Sequence, residues 1–181
     1  MLTKDNKVFN IPINKVHIHL LGVKIMTKQN TKFDINNCQS IGKVCAVFNL
    51  RKASRAVTQL YEEIMKPSGI LPTQFALMAT TRSMGPVSIS RMAKELVMDR
   101  TTLTRNLKPL EREGLLIVVS VKDDQRSREV SITSKGLKQL EQTIPFWQEA
   151  QNLTEKALST SRLDRMLGDL KAAVRATAKI G

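Results

Sequence analysis

Residues 89–116, ISRMAKELVMDRTTLTRNLKPLEREGLL, decide the fold. Ser88, just ahead of them, can cap a helix with its hydroxyl. Ile89, Met92, Ala93 and Leu96 then follow at i, i+3, i+4 and i+7, which is one face of a short helix. Val97-Met98 makes a tight connection that contains no glycine. Asp99 caps a second helix whose buried stripe is Leu103, Leu107 and Leu110, and Gly114 ends it. Two β-rich runs come next, 116–121 and 128–132, separated by the polar loop Lys122-Asp123-Asp124-Gln125-Arg126-Ser127, and they read as a hairpin. Helix, tight turn, helix, hairpin is the order of a winged helix-turn-helix. The expected class is therefore mainly α, with a two-stranded β wing.

Upstream, a helical pattern starts at Asn36. Ile41, Cys45, Phe48, Ala53, Val57, Leu60 and Ile64 recur at near-helical spacing up to the break Lys66-Pro67-Ser68-Gly69. Another helix opens with Pro72 at its first position and runs through Gln74, Phe75, Leu77 and Met78; Leu71 before it offers no side-chain acceptor. Downstream, Thr133 or Ser134 starts a long helix carrying Leu137, Leu140, Ile144 and Trp147. Pro145 inside it removes the bond to the Glu141 carbonyl and predicts a kink. Ser161 with Asp164 forms a weak capping box for a last helix with Leu163, Met166, Leu167, Leu170 and Val174 on one stripe. No later segment of the sequence covers that stripe, which points to an interface. The organisation expected is a basic, weakly structured tail over 1–35, a helix over 36–66, a winged helix over 70–133 and C-terminal helices over 134–181.

The second helix of the central pair carries the chemistry. With Leu103 pointing inward and about 100° per residue, Thr101, Arg105 and Arg112 point nearly opposite, flanked by Thr104 and Lys108. Thr, Arg and Lys on one face suit phosphates and base edges, and Arg can grip guanine with two bonds. The candidate DNA-binding residues are Arg100, Thr101, Thr102, Thr104, Arg105 and Lys108 on this helix, and Asp124, Arg126 and Arg128 on the wing. An Arg at a wing tip suits the narrow minor groove, and a neighbouring carboxylate can hold its guanidinium in one direction.

Here the sequence resembles the multiple-antibiotic-resistance regulator (MarR) family of bacterial transcription factors. The likeness runs from about residue 50 to residue 158. It rests on ILPTQFALM at 70–78, the 89–116 stretch, DDQRSREVSITSKG at 123–136 and the later PFWQEAQ. The Asp-x-Arg-Ser wing followed by a Thr-x-x-Gly helix start is its most specific combination. The resemblance implies a homodimer built by the first and last helices, with Arg105 and its neighbours in the major groove and Arg126 in the minor groove. It further implies a repressor of a pseudo-palindromic operator, released by a small-molecule effector or another signal. Three features depart from the family pattern: Leu71 in place of a polar cap, Pro109 inside the recognition helix, and residues 1–35 beyond the match.

Composition agrees with DNA as partner, with a qualification about where the charge lies. The 29 basic against 16 acidic residues give a net charge of +13, which favours polyanions. Yet residues 1–56 hold ten basic and two acidic side chains, so much of the excess lies outside the central pair of helices. No apolar run approaches the ~20 residues of a membrane span. The stretch 17–26, HIHLLGVKIM, lacks the cleavage site of a signal sequence, so a cytoplasmic location and no membrane partner are expected. Met26 is a plausible alternative start.

An enzyme is not expected. The two histidines, His17 and His19, lie in the tail, and there is no Gly-rich phosphate loop, HExxH, GxSxG or CxxC. Neither a metal nor a cofactor is implied. The cysteines carry a second reading, a thiol-based redox regulator. Cys38 and Cys45 read as seven residues apart on one helix, ~10.5 Å along its axis. That is too far to pair with each other, because a disulfide needs Cα atoms within ~7 Å. Cys38, nearer the helix start, is the better thiolate. A nucleoid-coating or RNA-binding protein is the remaining alternative from another class.

Overall fold

The computed structural model describes residues 42–121 and 124–178. Contacts group Asp34–Leu163 into one unit and assign the chain from Asp164 onward to another. From Ala46 on, the described residues of this unit run in the order α1 (Ala46–Met65), a 3₁₀ turn (Lys66–Ser68), α2 (Pro72–Met84), β1 (Val87–Ser88), α3 (Ile89–Glu95), α4 (Arg100–Arg112), β2 (Leu116–Val121), β3 (Asp124–Ile132) and α5 (Ser134–Leu158). A last helix, α6 (Thr160–Thr177), follows.

Most helix starts obey the local chemistry of the sequence. Ser88 Oγ accepts the Arg91 amide at 3.3 Å, Asp99 Oδ1 the Thr102 amide at 2.8 Å, and Thr133 Oγ1 the Gly136 amide at 2.9 Å. Each satisfies an amide that the helix itself leaves without a carbonyl. At α2 the residue before the helix, Leu71, has no acceptor, and Gln74 compensates from inside the first turn. Its Oε1 accepts the Leu71 amide at 2.9 Å, one half of a capping box.

The core joins α2, α3, α4, the sheet and the start of α5. Leu77, Met78, Met92, Leu103, Leu107, Leu110, Leu116 and Val130 are buried in one cluster with Val87, Ile89 and Leu140. Thr81 is buried among them and keeps its hydroxyl satisfied by donating to the Leu77 carbonyl at 2.8 Å. Along α5, Trp147 stacks on Phe75 with ring centroids 5.8 Å apart, and the Tyr61 hydroxyl donates to Gln151 Oε1 at 2.6 Å. These contacts fasten α5 to α2 and α1. The helix runs from Ser134 to Leu158 across Pro145 without ending.

Three expectations are corrected, and one short strand adds to the two that the sequence indicates. The sheet has three antiparallel strands in the order β1-β3-β2, because Val87 and Ser88 pair with Val130 and Glu129. A strand of two residues has no period to read; only its distant partner defines it. The second wing strand starts at Asp124, not at Arg128, so residues 124–127 are part of the strand, with Asp124 paired and 125–127 taken up by the irregularity. Their polar side chains masked a backbone pairing. The pairing is irregular there: Ser120 faces Arg128, but Val121 faces Asp124. Cys45 does not lie inside a continuous helix. It is the extended N-cap residue of α1, which begins at Ala46, and it separates that helix from the helical residues 42–44; the part of the pattern before residue 42 lies outside the described residues. Ser161 sits inside α6, which begins at Thr160, and so does not cap it. The apolar stripes of α1 and α6 are left exposed at Phe48, Val57, Leu60, Leu167, Leu170 and Val174, in keeping with the uncovered stripe expected of the last helix.

Candidate nucleic-acid interface

The arrangement of α3, α4 and the β2–β3 hairpin determines what α4 presents. Leu103, Leu107 and Leu110 are fully buried, and this anchors one side of the helix to the core. The opposite side is thereby held outward. Arg100, Thr101, Arg105, Lys108 and Arg112 are exposed, whereas Thr102 and Thr104 are half-buried. Four cations on one 13-residue helix make a surface that attracts a polyanion, and the threonines add short hydrogen-bonding groups between them.

Two of the threonines have structural tasks as well. The Thr104 hydroxyl donates to the Arg100 carbonyl at 2.7 Å, which leaves its oxygen free to accept. Thr102 supplies the amide that the Asp99 cap receives. The Thr102 hydroxyl, together with that amide, holds the Asp99 carboxyl below its ordinary range, because both bonds favour the charged form. The charge also sits at the positive end of the α4 dipole.

Pro109 deletes one bond in the last turns, yet the helix runs on to Arg112. Its end is closed by a Schellman motif: Leu115 donates to the Leu110 carbonyl at 2.8 Å and Gly114 to the Glu111 carbonyl at 2.9 Å. The same motif ends α3, where Met98 donates to Ala93 at 2.8 Å and Val97 to Lys94 at 3.2 Å. Gly114 adopts φ +70° as the motif demands, while the equivalent residue of α3 is Val97, at φ +53°. The missing glycine of the tight turn is thus a β-branched residue in the left-handed region.

On the wing, Arg128 is exposed and faces Ser120 across the ladder. Asp124 and Arg126 contribute backbone to β3, and their side chains lie outside the described part of the structure, as do Lys122 and Asp123. Cys45 is half-buried; Cys38, His17 and His19 fall outside the described residues. No group of three or more His, Cys, Asp or Glu is close enough to hold a metal among the described residues. None of the described helices is long and apolar enough to cross a membrane.

One contribution was hidden in the sequence. Lys135 donates through Nζ to the Glu113 carbonyl at 2.7 Å, so a lysine in the first turn of α5 reaches the C-terminal end of α4. The only sequence signal is a cation where its own helix dipole disfavours one.

Comparison with known proteins agrees with this geometry. The MarR family model matches residues 70–128. The transcriptional regulator MosR of M. tuberculosis, solved in complex with DNA, is 31% identical; the match covers 74% of this chain and 98% of that one, with a TM-score of 0.65. The Bacillus subtilis organic hydroperoxide resistance transcriptional regulator is 29% identical over 89 residues, 49% of this chain and 60% of its own length. A mutant MarR from E. coli complexed with operator DNA shares the fold, with 22% identity, 77% of this chain and 98% of that chain covered, and a TM-score of 0.65.

Proposed function

The chain belongs to the MarR family of transcriptional regulators, and from that premise we propose that it binds double-stranded DNA as a homodimer, repressing transcription from a pseudo-palindromic operator until a signal releases it. The observation that carries this reading is the outward face of α4, held in place by the buried Leu103, Leu107 and Leu110. Arg105 and Lys108, with Arg100 and Thr101 near the helix start, read the major groove; Thr102 and Thr104 support them. Asp124, Arg126 and Arg128 take the hairpin to the flanking minor groove. The dimer brings two copies of α4 onto grooves about one helical turn apart. Two related regulators, MosR and MarR, were solved on DNA, which supports the same partner here. The working compartment is the cytoplasm, where the DNA is.

The effector's place is not assigned by this geometry: the groove beside the end of α1, lined by Gln59, Glu62, Glu63, Lys66, Ile70 and Leu71, is open and rich in charge, unlike the enclosed apolar pockets that hold small molecules. The thiol reading stays second, supported by the hydroperoxide regulator of Bacillus subtilis among the relatives. The geometry behind it changes, since Cys45 is an N-cap residue and not a member of a helix shared with Cys38.

The test is selection of genomic fragments by the purified protein, with and without reductant, followed by titration of the preferred fragment. Arg105→Ala is expected to lose ~1–3 kcal/mol of affinity and to relax preference at one position per half-site. Arg105→Ala binding as tightly as wild type at matched salt would refute the docking; reductant-dependent retention would promote the thiol reading.

A further inference from the structure

The end of α4 is held by the start of α5 through four contacts. Lys135 Nζ donates to the Glu113 carbonyl at 2.7 Å. The Thr133 hydroxyl donates to the Gly114 carbonyl at 2.7 Å, with the Leu115 carbonyl 3.1 Å away. The Thr133 amide donates to that Leu115 carbonyl at 3.1 Å. Finally, a Cβ on Gly136 would overlap the Leu115 carbonyl oxygen and crowd Ile132, so the backbone of α5 lies directly against the end of α4. The Glu113 carbonyl is among the last four of α4, which helix geometry leaves without amides, and those of Gly114 and Leu115 follow in the turn to β2. All three are met from the first residues of α5. The two helices thus join the negative end of one dipole to the positive end of the next, with the Lys135 ammonium between them.

Pure fold stability does not require that Lys135 serve α4, because the carbonyl it meets is exposed and water would satisfy it. The bond does fix a direction. Beyond its start, α5 is fastened to α1 through Tyr61 and Gln151 and to α2 through Trp147 and Phe75. We propose that Thr133, Lys135 and Gly136 are positioning residues for DNA recognition: they fix the orientation of α4 to that of α5, and so set the half-site spacing the dimer accepts. The proposal rests on the regulator reading above and specifies how that reading is tuned.

A spacing series tests it. DNA selected by the wild-type protein from a random pool is rebuilt with one base pair added or removed between the half-sites. Affinities are measured for wild type, Lys135→Met, Thr133→Val and Thr133→Ser. A variant that is only less stable loses affinity for every spacing in proportion, so its ratio of affinities stays that of wild type. Wild type is expected to prefer its own spacing by roughly tenfold, the size of a single mismatched contact. Lys135→Met and Thr133→Val should bring that ratio below about threefold, whereas Thr133→Ser, which keeps the hydroxyl, restores it. Lys135→Met is exposed at the surface and retains its aliphatic stem, so its ratio is readable even if Thr133→Val folds poorly. Unchanged ratios in both variants overturn the positioning role while leaving the regulator reading intact. A wild-type protein without preferred DNA overturns the regulator reading and this role with it.

Discussion

Val97 occupies the position of the α3 C-terminal motif that Gly114 occupies in α4, and the two sites differ only in what their backbones tolerate. A side chain in the left-handed region costs roughly 1–2 kcal/mol, of which glycine returns part through its own entropy, roughly 0.5–1 kcal/mol. Val97 is 70% exposed, so replacing it empties no cavity. Val97→Gly is therefore expected to stabilise the protein by roughly 0.5–1 kcal/mol, read as a rise of a few degrees in melting temperature. A lower melting temperature would mean that the valine packs on something in the working assembly. The converse holds at Gly136, where the neighbouring carbonyl leaves no room for a methyl group.

At the level of elements, the cap of α4 makes a pH-dependent contribution. The Asp99 carboxyl titrates lower in the folded protein than its ordinary 3.8, because the Thr102 hydroxyl and amide bind the charged form. A depressed carboxyl contributes its stability above the unfolded value and loses it as pH falls through the lower folded value. The fraying of α4 should thus begin below about pH 4. Asp99→Asn keeps an acceptor but cannot titrate, so its helix signal should be flatter across pH 2–5, the acid limb of the carboxylate range. Equal acid sensitivity in the two proteins would assign the limb to other carboxylates.

The elements that were legible share this local logic. Ser88, Asp99 and Thr133 cap the helices they precede, and Leu103, Leu107 and Leu110 fix the face of α4 from spacing alone. What escaped was non-local. Val87–Ser88 becomes a strand only because Val130 and Glu129 lie beside it, and the strand reaches back to Asp124, opposite Val121, despite polar side chains. The helical pattern continues through Cys45 although the backbone turns extended there. Of the candidate site, the outward face of α4 could be read from sequence, whereas the grip of Lys135 on Glu113 required two segments 22 positions apart to meet.

For the whole molecule, the exposed apolar residues of α6 are the part that a second copy is expected to bury on the proposed reading. Leu167, Leu170 and Val174 are exposed on an 18-residue helix. Leu170→Asp with Val174→Asp places two charges on that stripe without touching a buried residue. The double variant is expected to sediment as a monomer and to lose at least ~100-fold in affinity for the selected DNA, since one half-site retains only part of the contacts. Dimers that persist in the double variant would move the interface to another surface, with the exposed Phe48, Val57 and Leu60 of α1 the next to test.

The length of α5 has a mechanical consequence. Its 25 residues, at 1.5 Å each, make a rod of about 37 Å. Pivoting such a rod by about 5° at its far end sweeps the near end through about 3 Å, close to the ~3.4 Å rise of one base pair. Since α4 is attached at that near end and shares its core with it, a tilt that carries the winged helix along with α5 is enough to put the protein one step out of register with its DNA. On the proposed reading, a signal that tilts this lever would release the DNA by leverage, with the recognition helix itself still folded.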